Sequence, residues 1–200
     1  MVKSISEIRR EEITEAVLSL LARQGPKALS TQQIAETVGM AKASLYQHFS
    51  SIDEMVEAAI EQIHSVSLEM LQEAREAADN PLAVLRNFFH RIFHLPTIPG
   101  ALISVARMDS ESVPKWRGMM MQIEETLMPQ LVEVTEAAQA AGQIRGDVPA
   151  RALLETMVAL HHFQKLKHGT HDENDDDDFA KRFEDVWQLF MCYVDKRAEF

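Results

Sequence analysis

Between residues 29 and 49 the chain reads LSTQQIAETVGMAKASLYQHF, and Gly39 interrupts a helical pattern that resumes at once. Leu29, Ile34 and Val38 precede the glycine; Met40, Leu45 and Phe49 follow it. Glycine is a poor residue for a helix interior, but it enters the positive-φ region that ends a helix sharply. The spacing therefore predicts two short helices joined by a tight turn, a helix-turn-helix. Ser30, followed three residues later by Gln33, forms a capping box that opens the first of them. Ala35 is small where the helices must approach, and Ile34 and Leu45 are placed to fix the angle between them.

An ordinary αα-corner shares the apolar period and the glycine turn. The outer face of the second helix, read over Lys42 to His48, argues against that plainer origin. Lys42, Ser44, Tyr46, Gln47 and His48 crowd a cation, hydroxyls, an amide and an imidazole into seven residues. Those are the groups that anchor phosphates and read base edges.

The remainder of the chain is also helical in pattern. Gly and Pro number only seven each in 200 residues, and no alternating Val/Ile/Thr runs occur, so the fold class is all-α with about nine helices. The first helix runs from about Ser6 to Arg23 with Ile8, Ile13, Val17, Leu20 and Leu21 on one face. Ser51 and Glu54 form a second capping box opening a long helix to about Ala78. Further helices are expected near 81–94, 99–107, 112–141, 149–167 and 179–196, with Gly118 and Pro129 suggesting a kink or second start in the longest. Residues 1–50 form a small three-helix head, and residues 51–200 a helical body.

Charge sharpens that division. The net charge is −11, yet residues 1–50 carry +1, so the acidity lies wholly in residues 51–200. An acidic protein with a near-neutral head can still approach a polyanion. A single cysteine, Cys192, excludes an internal disulfide framework and a four-cysteine metal site. No signal-peptide core is present, and the longest stretch free of Lys, Arg, Asp and Glu, Ile92 to Ala106, is short and broken by Pro96, Pro99 and Gly100. The expectation is a cytoplasmic protein with no membrane association.

The run IAETVGMAKASLYQHFSSIDEM resembles the signature of the TetR-type transcriptional repressors. The resemblance covers about residues 8 to 60 and combines several fixed spacings; beyond residue 80 it rests on length and helix count. It implies that Lys42, Tyr46 and His48 contact DNA phosphates, that Ser44 and Gln47 lie nearer the bases, and that Ser30 is a phosphate-binding cap. Two positions depart from the family pattern. Ala41 stands where a capping residue is usual before the reading helix, and Ile52 where a phosphate-binding lysine is frequent. The second departure predicts a shallower salt dependence of DNA binding.

In the body, Phe88, Phe89, Phe93, Met108, Trp116, Met119, Met120, Met121, Ile123 and Met128 form a soft, aromatic-rich stretch. Such residues fill helical cores, and methionine also adapts a cavity to varied apolar ligands. The resemblance implies a pocket for a small, largely apolar effector, placed at Phe89, Phe93, Met108, Trp116, Met120, Met157 and His161. His90 and His94 lie one helical turn apart, but Arg91 replaces the glutamate of the HExxH zinc motif and nothing fixes further ligands. The acidic run Asp172–Asp178 fails as an EF-hand, since position six is Asp177 and position twelve Phe183. No metal and no cofactor are expected.

Two apolar stripes close the chain. Leu153, Met157, Leu160 and Gln164 share one face, and Phe183, Trp187, Phe190 and Val194 another, at steps of three and four. Packing within the chain would account for them; the resemblance assigns them to a dimer interface. The combined expectation is a ligand-responsive repressor that binds a palindromic double-stranded DNA operator as a homodimer and is released by its effector. A metal-sensing repressor of the same fold and a helical protein-interaction adaptor are the alternatives. An enzyme finds no support, because no phosphate-cradling loop or nucleophile–base motif occurs.

Overall fold

The computed structural model describes residues 4–25, 29–95, 114–168 and 176–195. Eight α-helices and no strand occur among the described residues: α1 Ile5–Gln24, α2 Thr31–Val38, α3 Lys42–Leu45, α4 Ile52–Glu76, α5 Pro81–His94, α6 Pro114–Ala140, α7 Ala150–His168 and α8 Asp176–Val194. The all-α expectation is met; the segment expected to be helical over 99–107 lies outside the described residues. Among those described, no helix is long and apolar enough to cross a membrane.

Contacts divide the chain into two compact units, Met1–Val66 with Pro96–Glu124, and Ser67–Leu95 with Glu125–Phe200. The expected boundary after residue 50 falls inside the first unit, which also takes in the first part of α4.

In the first unit, α1 opens on a complete capping box. Ser4 Oγ accepts the Glu7 N–H at 3.2 Å, and the Glu7 carboxylate accepts the Ser4 N–H at 2.6 Å. Ile13, Val17, Leu20 and Leu21 are buried as expected, but Ile8 is 43% exposed. It lies more than a turn before the first buried residue of α1, so the core face begins later than the apolar pattern suggested. α1 packs on α2 and α2 on α3, around fully buried Ile34, Leu45 and Met55.

The second unit packs α7 against α8 and α5 against α8. α5 begins as its sequence dictates: Asn80 caps the Ala83 N–H at 3.0 Å, and Pro81 occupies the first helical position, where its missing donor costs nothing. α6 runs unbroken through Gly118 and Pro129, without the second start that the sequence suggested. Pro129 and Glu125, four residues before it, are both exposed, so the carbonyl the proline leaves without a donor is open to water. α8 starts at Asp176, three residues earlier than the pattern placed it.

Candidate nucleic-acid interface

The reading segment is built from both sides of Gly39. Ser30 caps α2 by accepting the Gln33 N–H at 3.3 Å, and its hydroxyl donates to Gln33 Oε1 at 3.0 Å. The reciprocal half of the expected box does not form: Gln33 Oε1 accepts the Ser30 hydroxyl rather than the Ser30 N–H, while the Gln33 amide N–H donates to Gln24 Oε1 at the end of α1, at 2.9 Å. Gly39 adopts φ 74°, ψ 35°, the left-handed conformation that ends a helix, and the Met40 N–H reaches back to the Ala35 carbonyl at 2.9 Å. The bend is therefore a sealed helix terminus followed by a new start.

α3 is shorter than expected. Regular helix covers Lys42–Leu45 and gives way to a turn over 46–48, where the Gln47 N–H bonds the Ser44 carbonyl at 3.2 Å and the His48 N–H bonds the Leu45 carbonyl at 3.0 Å. These bonds span three residues, so the segment tightens after Leu45. Ala41 makes no side-chain cap, as its sequence requires. Leu45 and Phe49, four apart, are buried, while Lys42, Tyr46 and Gln47 are exposed and Ser30, Ser44 and His48 are half-buried. Polar groups suited to phosphates and base edges thus remain on an anchored segment less than two turns long.

Sequence reasoning missed the residue that closes this segment. The Arg10 guanidinium, from α1, donates to the His48 carbonyl, lies 3.9 Å over the Phe49 ring and approaches Glu54 at 3.5 Å. Glu54 in turn accepts the Ser50 N–H at 2.6 Å and the Ser50 hydroxyl at 2.7 Å. These bonds, chiefly the two from Ser50, hold the Glu54 carboxyl below its ordinary pKa. The expected Ser51–Glu54 box is thereby half-formed: Ser51 Oγ accepts the Glu54 N–H at 3.1 Å, but the carboxylate reaches Ser50 rather than Ser51. Arg10 is 38 residues from His48, and no local pattern marks so distant a partner.

Residues expected at an effector pocket divide between the units. In the second unit, Phe89 and Phe93 pack at 5.2 Å, and the Phe93 ring stacks on His161 at 3.6 Å and 4°. Met157 is buried in the same unit. Trp116 is buried in the first unit, Met108 lies outside the described residues, and Met120 is placed on α6 by its backbone alone.

The expected dimer stripe turns inward. Leu153, Met157, Phe183, Trp187, Phe190 and Val194 are all buried within the single chain, where α7 meets α8; Leu160 is half-buried and Gln164 is placed by backbone alone. Buried side chains are spent on the chain's own core, so the apolar face left outward on α8 is a different one, with Leu189 55% exposed and Tyr193 beside it.

The His90 and His94 rings are parallel at 6.4 Å, and His90 meets Phe183 edge-on at 4.9 Å. Burial, helped by Arg86 and His94, pushes the His90 pKa down. Among the described residues no three His, Cys, Asp or Glu side chains come together as a metal site would need.

Residues 13–59 match the family model of bacterial regulatory proteins, tetR family. The HTH-type transcriptional repressor KstR2 of Mycolicibacterium smegmatis is 31% identical over 85 residues, 42% of each chain. The nucleoid occlusion factor SlmA of Vibrio campbellii is 32% identical over 85 residues, 42% of this chain and 43% of that protein. The chain thus aligns with less than half the length of these curated relatives. The solved ketosteroid transcriptional regulator KstR2 of Mycobacterium tuberculosis superposes with a TM-score of 0.75 over 98% of both chains at 16% identity; a likeness at that identity is one of fold.

Proposed function

From the match of residues 13–59 to the tetR family model and the shared fold, we propose that the chain is a tetR-family regulator, a ligand-responsive transcriptional repressor acting in the cytoplasm. The carrying observation is the anchored reading segment, which exposes Lys42, Tyr46 and Gln47 while Leu45 and Phe49 hold it to the head. Lys42, Tyr46 and His48 meet phosphates, Ser44 and Gln47 face the bases, and Ser30 adds a contact at the start of α2. Two copies bind a palindromic operator, with reading segments about 34–36 Å apart in successive major grooves. They pair through the outward face of α8 at Leu189 and Tyr193, since the inward stripe is consumed by the chain's own core.

A small, largely apolar effector enters the helical body, near Phe89, Phe93, Met157 and His161. α4 is the element able to carry its effect to the head. Its end is tied to α5 by the Glu73–Arg91 ion pair and to α6 by Arg75–Glu133 at 3.6 Å, and its first turn carries Glu54. Displacing it weakens DNA binding by a coupling of about 1–3 kcal/mol. A family match at residues 13–59, with likeness over 85 residues to both a transcriptional repressor and a nucleoid occlusion factor, supports DNA binding first, and the helical body sets what binding does.

The test is selection of duplexes from random-sequence DNA by the purified protein at moderate salt, followed by Tyr46→Ala. Wild type is expected to enrich a palindrome, and the variant to lose affinity for it with helicity and mass unchanged. Enrichment of no sequence would sink the proposal.

A further inference from the structure

We infer that Arg10 is a positioning residue for DNA reading, one that fixes the end of the reading segment without itself touching DNA. The inference rests on the proposed reading of the head as a DNA-binding unit. A segment of four helical residues and one turn has little stability of its own, because a helix gains cooperatively with length. Its terminal carbonyls lack intrahelical donors. Arg10 supplies one to the carbonyl of His48, the last residue of that turn.

The same guanidinium covers the buried Phe49 ring at 3.9 Å. Its other nitrogen approaches Glu54, whose carboxylate holds both the N–H and the hydroxyl of Ser50. The backbone is therefore gripped at His48 by α1 and at Ser50 by α4, on either side of a buried aromatic ring. Tyr46, Gln47 and His48 precede this clamp directly, so their aim depends on it.

Only a planar fork meets these three partners together. A lysine ammonium is a point charge on a flexible stem and cannot stack over the ring while bonding a carbonyl and a carboxylate. Arg10 and Glu54 are both substantially exposed, so their ion pair contributes little alone. The carbonyl bond and the ring contact carry the effect.

Arg10→Lys in the full chain tests this, because it keeps the charge and removes the fork. The probe is the duplex that wild type selects from random-sequence DNA. Affinity is expected to fall about tenfold, the worth of one hydrogen bond to a charged group, with an unchanged dependence on salt. In the free protein, amide exchange should accelerate at His48–Ser50 and stay unchanged at Ile34 and Ala35.

Unchanged affinity with unchanged exchange overturns the inference. So does a salt slope reduced by about 0.9, which would make Arg10 a phosphate contact. Loss of protection throughout α1 and α2 overturns it too, by making Arg10 a general folding residue. If wild type selects no duplex, the functional reading fails, and the exchange measurement still decides whether Arg10 holds the turn.

Discussion

Asp147 holds the arginine, Arg145, that ties a loop to a distant helix end. Hydrogen bonds from the Arg145 guanidinium, at 2.7 and 2.6 Å, bring its pKa down from 3.8 to about 2. The same arginine donates its backbone N–H to the Val194 carbonyl at 2.9 Å and a side-chain N–H to the Tyr193 carbonyl at 3.3 Å, covering the last carbonyls of α8. A depressed carboxylate pKa stabilises the fold above its unfolded value, and that contribution is lost as pH falls through the folded one. Stability lent by this pair is thus complete above 3.8 and gone below about 2. Asp147→Asn is expected to lower the urea midpoint slightly at neutral pH, the pair being exposed, and to match wild type below pH 2. A variant offset that persists at the lowest pH would place the effect outside the ion pair.

At the scale of the element, the reading helix lacks a cap that its backbone is ready to accept. Ala41 sits at φ −71°, ψ 144°, the extended conformation of an N-cap, yet offers no side-chain acceptor to the amides that follow. At the start, the Ser44 N–H bonds the Ala41 carbonyl at 2.9 Å. Ala41→Ser supplies the missing acceptor without moving the chain. It should stabilise the protein by about 1 kcal/mol, which for a chain of this size raises Tm by about 2–4 °C. In wild type, exchange at Lys42–Leu45 should slow when operator binds, and less so in the variant. An unchanged Tm together with equal protection in both proteins would mean that the start of α3 is already satisfied.

For the whole molecule, charge and symmetry would set the terms of the proposed DNA binding. The +1 head and the strongly acidic remainder leave cations such as Lys42 at the reading segment, while the body repels the polyanion. The proposed dimer then rests on what the single chain leaves outside its own core. Leu189 and Tyr193 fit that description and the stripe through Trp187 does not. Leu189→Glu is expected to shift the protein toward monomer in sedimentation velocity at micromolar concentration and to weaken operator binding in step, with helicity retained. A dimer of undiminished stability would move the interface off α8.

What sequence determined by itself was local: the all-α class, the break at Gly39, the start of α5 at Asn80–Pro81 and the uncapped Ala41. Each follows from a backbone preference or a hydrogen bond within four residues, and such terms are written in neighbouring letters. Tertiary structure decided what depends on partners far along the chain. Ile8 and Trp187 carry the same helical period as their neighbours, yet one is exposed and the other is core. An apolar stripe specifies that a face seeks cover, and only packing says whether the cover comes from the same chain or a second one. Ser50 took the carboxylate expected at Ser51, and Arg10 closed the reading segment from 38 residues away. The first is a choice between adjacent serines within four residues; the second depends on where α1 comes to rest, which no spacing within the motif encodes.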